Sequence, residues 1–150
     1  MPWWTADKKK TMTQPHFTVA YWCVLVAALM PYLWITIGKA GGQRYDNRDP
    51  RGWMARQDRP RAVRGNAAQL NAFEAFAPFA AGVILAQLAG VPDGRIAVLA
   101  IAFVVLRVLH GVFYLANAHA LRSLVWFGGF ACVLGLLAQA ALRAGSIVAP

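Results

Sequence analysis

The sequence predicts an all-α membrane protein in which four spanning helices form an antiparallel bundle. Three observations predict it. Hydrophobic residues make up 59% of the chain and its mean hydropathy is +0.45, too apolar for an ordinary small soluble domain. Four stretches approach the ~20 mostly apolar residues that a spanning helix needs: 17–38, 72–91, 96–116 and 121–142. The formal net charge of +9 lies largely in one polar segment between the first two of them. The reading is therefore a single domain over 1–150.

The first stretch follows Lys8, Lys9 and Lys10, as a signal peptide would. Its apolar part exceeds the ~7–15 residues of a signal core, and no small-x-small cleavage site accompanies it, so it reads as a retained anchor. Cys23 and Cys132 fall in the first and fourth spans without a CxxC or a His/Cys cluster. They suggest packing residues, and neither a disulfide framework nor a metal site.

The loop 39–64 carries eight basic residues, Lys39 and seven arginines, against Asp46, Asp49 and Asp58. By the positive-inside rule this loop, with Arg122 in the third connection, is cytoplasmic and both termini are not. Lysine and arginine clusters also mark nucleic-acid binders. Here the cluster is tethered within a few residues of two spans and broken by Gly41, Gly42, Pro50, Gly52 and Pro60. Anionic lipid headgroups explain it better, and no nucleic-acid partner is expected.

The second stretch begins in "RGNAAQLNAFEAF", with Arg64 two turns before Asn71 and Glu74. Glu74 is the only acidic residue inside any of the four stretches. Ala67, Ala68 and Ala75 are small enough to let another helix approach closely.

The third stretch contains "RVLHGVFYLAN", whose Arg107, His110, Tyr114 and Asn117 are spaced by three, four and three. That spacing predicts one polar stripe on one helix face. Arg107 lies ~16 Å from Ile96 at 1.5 Å per residue, near the middle of the hydrocarbon. A charge there costs at least ~2.5 kcal/mol on insertion scales and turns toward a partner inside the bundle. Glu74 is the expected partner, either as a structural ion pair with Arg107 or as part of a ligand site.

The fourth stretch opens with "LRSLVWF". Its first-turn N–H groups, Arg122 and the Ser123 hydroxyl predict an anion site at a helix N-terminus. Three helix ends then converge on one basic, hydrogen-bonding pocket.

With "YDNRDPRGW" before them, these motifs resemble the MAPEG family, membrane-associated proteins in eicosanoid and glutathione metabolism, in its bacterial members. The resemblance implies a left-handed four-helix bundle, a homotrimer, and glutathione held between subunits near the cytoplasmic face. It implies that Asn71 and Glu74 contact the glutathione peptide, that His110 and Tyr114 line the site, and that Arg122 and Ser123 stand near the thiol. Arg107 is assigned to binding or structure, and Arg64 more to structure. The chain departs from prostaglandin-type members at Leu70 and Trp126, where they carry an arginine and a tyrosine, and its connection between Tyr114 and Arg122 is a residue shorter.

The function so implied is a glutathione-dependent transferase or peroxidase acting on hydrophobic electrophiles or lipid hydroperoxides, with glutathione as co-substrate, in a bacterial cytoplasmic membrane. Arg122 would lower the thiol pKa by favouring its charged form. The alternative is a non-catalytic membrane interaction protein of the same fold, which Leu70 and Trp126 favour. A small multidrug-type transporter is the outsider, because the first span lacks a carboxylate.

Overall fold

A computed structural model describes residues 15–148, with side chains described from 19 to 145. Lys8, Lys9 and Lys10 lie outside the described residues. The elements are α1 (Pro15–Ala40), a short α2 (Pro50–Ala55), α3 (Pro60–Leu88), α4 (Asp93–Leu115) and α5 (His119–Val148). Among the described residues there is no strand. Four helices are long and apolar enough to cross a bilayer.

The boundaries follow local chemistry. Pro60 and Pro50 stand in the first turns of α3 and α2, where a missing N–H costs nothing and φ is already set. Helix α3 therefore starts twelve residues ahead of the apolar stretch, and residues 60–64 of the expected loop are helical. Both inter-helix turns downstream are Schellman caps. Gly90, at φ 71, closes α3 with Val91 N–H donating to Ala86 O at 2.9 Å. Asn117, at φ 60, closes α4 in the same way, with Ala118 N–H donating to Phe113 O at 2.9 Å. Asparagine tolerates this left-handed conformation better than most residues. Asn117 is thus a helix stop, and the expected four-residue stripe ends at Tyr114.

Helix α1 packs on α3 and α4, and α5 packs on the same two helices. Helices α3 and α4 also touch each other, while α1 and α5 occupy opposite corners. The α1–α3 crossing is close because Gly38 and Gly65 meet there: a Cβ on Gly65 would lie 2.5 Å from Gly38 Cα. Small residues serve this purpose where helices gain no hydrophobic drive from leaving lipid. Toward the α3–α4 turn the core centres on Phe79 and Phe103, stacked at 3.9 Å. Toward the other end it is Met30, Trp34, Ala68 and Ala72.

The outer surface is apolar on every long helix, with Trp22 62%, Leu88 79% and Leu142 76% exposed. Water would oppose such a surface, and lipid accepts it. The loop is folded rather than loose. Trp53 is buried, its indole N–H donates to Arg44 O at 2.9 Å, and Tyr45 packs edge-on against it at 5.1 Å. Asp49 caps α2 through the Gly52 N–H.

Candidate functional site

Arg107 is buried on α4. Its Nη2 donates to the backbone carbonyl of Asn71 at 2.9 Å and to Asn71 Oδ1 at 2.7 Å. The Asn71 amide in turn donates to Glu74 Oε2 at 3.3 Å. The expected Glu74–Arg107 ion pair does not form, and the Arg107 guanidinium is bonded to Asn71 instead. The reason is reach. Asn71 lies one turn from Glu74 toward the loop and offers Arg107 two oxygens at once, whereas Glu74 stays exposed.

These three residues line one side of a pocket of about 180 Å³ between α3, α4 and α5. Its other walls are apolar, chiefly Pro78, Phe103, Phe130 and Val133, with Trp126. Trp126 stacks on Phe130 at 5.4 Å, as residues four apart on one helix face can. Proline at 78 has no N–H to offer the Glu74 carbonyl one turn back, so the pocket wall holds a kink-prone, acceptor-rich step beside the carboxylate.

A second cluster lies toward the loop end. The His110 ring is buried and meets Tyr114 edge-on at 5.6 Å, and the Arg122 guanidinium sits 4.5 Å above the Tyr114 ring. Arg107 and His110 are neighbours on successive turns of α4, so the two clusters adjoin. Tyr114 lies ~10 Å along the helix from Arg107, which makes the polar column deep at one end and near the boundary at the other.

Other expected residues stand apart. Arg64 Nη1 donates to Leu115 O at 3.4 Å; the basic group sits at the last carbonyl of α4, as helix ends favour. Ser123 is exposed. Helix α5 begins at His119, two residues ahead of the expected start, so the Arg122 N–H is bonded to Ala118 O at 2.9 Å and the first turn is formed by His119, Ala120 and Leu121. Leu70 faces a different cleft, beside the loop, and not the Asn71 pocket.

Sequence reading missed Trp34, whose ring occupies the space a Cβ on Gly111 would need, at 2.2 Å. A glycine directly after His110 was the available signal for a large side chain arriving from another helix. It also missed the pocket's aromatic wall, which the packing of α5 against both α3 and α4 creates.

A family model for MAPEG matches residues 19–142. No curated protein and no solved structure gives a match. The matched region takes in the second and third spans whole, nearly all of the first and fourth, and every residue of both polar clusters. The chain is an integral multi-pass membrane protein, and it belongs to the MAPEG family of membrane-associated proteins in eicosanoid and glutathione metabolism.

Proposed function

We propose that the protein is a homotrimeric, glutathione-dependent transferase or peroxidase of a bacterial cytoplasmic membrane, with the basic loop cytoplasmic. The observation that carries this reading is the Asn71–Arg107 pairing. Because Asn71 satisfies the buried guanidinium, Glu74 keeps an exposed carboxylate free to meet a ligand amino group. A carboxylate has ~four acceptor positions, and the Asn71 amide takes one of them.

Arg122, held over Tyr114, is the cation that favours ionisation of the glutathione thiol. Its seat on the ring sets the guanidinium near the boundary, where a peptide thiol arrives from water. His110 and Tyr114 line the wall between the two clusters, and Ser123 offers a hydroxyl beside Arg122. The thiolate attacks an apolar electrophile that partitions from the lipid; the Phe103, Phe130 and Val133 wall provides such a molecule with a dry surface.

The test is calorimetric titration of glutathione into the detergent-purified protein, with thiolate absorbance near the ultraviolet edge followed in the same samples. Binding together with a thiolate signal supports the enzyme. Absence of binding supports the second reading, a non-catalytic interaction protein. The observation favouring that reading is Trp126, which lines the pocket with a stacked indole where prostaglandin-type members carry a phenol.

A further inference from the structure

Tryptophan in a membrane protein favours the boundary with water, where its ring is half in lipid and its N–H is wet. Of the tryptophans on the described spanning helices, Trp22 is exposed, Trp126 is half-buried, and Trp34 alone is buried in the bundle. Its ring lies directly on the α4 backbone: a Cβ on Gly111 would fall among the Cε2, Cζ2 and Cη2 atoms of the indole. A ring so enclosed cannot swing away, so Trp34 and Gly111 together set the rotation and distance of α4 relative to α1.

The consequence reaches a third helix. Tyr114 is three residues beyond Gly111, on the same face of α4, and packs against the buried cluster of Met30, Trp34, Ala68 and Ala72. Its other neighbours are the edge of His110 and, over its face at 4.5 Å, the guanidinium of Arg122 on α5. Arg122 forms no ion pair among the described residues, so the Tyr114 ring is its seat. Helices α1 and α5 do not touch; Trp34 can influence Arg122 only through α4. A cation–π contact extends to about 6 Å, and a displacement of ~1.5 Å therefore ends this one.

We propose that Trp34 is a positioning residue of the glutathione site: by resting on Gly111 it turns Tyr114 toward α5 and so holds Arg122 where the thiol ionises. The role of the seat rests on the function proposed above, in which Arg122 is the cation beside the sulfur. The seat itself is a property of the bundle and is measurable without glutathione.

The experiment follows modification of Arg122 by phenylglyoxal, a guanidinium reagent, in the full chain in detergent, read at each arginine by peptide mass spectrometry. Trp34→Leu is expected to speed modification of Arg122 about two- to fivefold, the loss of a cation–π contact near the surface. Arg107, bonded to Asn71, is expected to keep its wild-type rate. Gly111→Ala presses on the same ring from the other side and is expected to act alike. The double variant, in which the methyl fills space the indole leaves, is expected to return to the wild-type rate, a coupling that residues in contact produce. Should one single variant fail to fold, the other decides. An unchanged Arg122 rate in a folded single variant overturns the proposal, as does an equal rise at Arg107, the mark of general loosening. With glutathione bound, Trp34→Leu is further expected to raise the thiol pKa with little change in Kd; an unchanged thiol pKa overturns the link to the sulfur. A wild type that shows the Arg122 effect without any thiolate signal upholds the seat and overturns the glutathione reading, so the two failures are distinct.

Discussion

Arg107 and Asn71 are joined by a forked contact in which one guanidinium nitrogen serves both the backbone carbonyl and the side-chain oxygen of the asparagine, at 2.9 and 2.7 Å. The contact ties α4 to α3 at a depth where neither helix can turn to water. It also separates two roles that the sequence left merged, since the asparagine satisfies the buried charge and the carboxylate three residues on remains exposed.

Removing the asparagine side chain therefore harms the fold more than neutralising the glutamate. Asn71→Ala leaves the buried guanidinium with the backbone carbonyl alone and is expected to destabilise by about 2 kcal/mol, the scale of a hydrogen bond to a charged group. Glu74→Gln is expected to stay within about 1 kcal/mol, because the group is exposed. Thermal melting in detergent checks the order, and a larger loss for Glu74→Gln than for Asn71→Ala would refute the assignment.

The Gly38–Gly65 crossing gives a sharper steric test. A methyl at 65 meets backbone, not a movable side chain, at 2.5 Å, so Gly65→Ala forces α1 and α3 apart and costs ~1–3 kcal/mol. Gly94→Ala is the control, since a Cβ there meets nothing within 4 Å. Its melting temperature should match or exceed that of the wild type.

Arg122→Ala is expected to preserve the bundle and remove the thiolate signal. A loss of one pKa unit in thiol activation corresponds to about 1.4 kcal/mol and close to a tenfold smaller thiolate fraction when the pKa exceeds the pH. Tyr114→Phe keeps a ring beneath the guanidinium and should retain most of the signal. Full thiolate absorbance in Arg122→Ala would assign activation to another group.

The loop makes its own prediction. Trp53 is buried beneath the connection and bonded to Arg44 O, so Trp53→Ala removes the side chain on which the loop folds, a local loss of ~3 kcal/mol. Tryptic cleavage after Arg51 or Arg56 should accelerate, as it follows the population of the opened loop. The four-helix bundle should melt nearly unchanged, and a large drop in its melting temperature would show that the loop braces the spans.

Much of the architecture was legible in the chain because a bilayer imposes strict requirements. Apolar length determined the number of spanning helices, charge placement distinguished the connecting loop, and a lone arginine amid apolar residues required an interior partner. The MAPEG resemblance rested on the spacing of Arg64, Asn71 and Glu74 together with the "RVLHGVFYLAN" and "LRSLVW" segments, which are local patterns.

Tertiary structure decided what local patterns leave degenerate. Asn71 and Glu74 both lie within reach of a helix facing α3, and only the depth and rotation of α4 select the asparagine for Arg107. Asn117 continues a helical spacing on paper, yet its left-handed φ ends α4 and moves the start of α5 to His119, which in turn occupies the Arg122 N–H. Trp34 reaches Gly111, and Trp126 reaches the Asn71 pocket, through packing between segments distant in the chain. Spacing along one helix specifies a face, but the partner of that face depends on the angles and offsets at which several helices pack, and these are set by the whole bundle together.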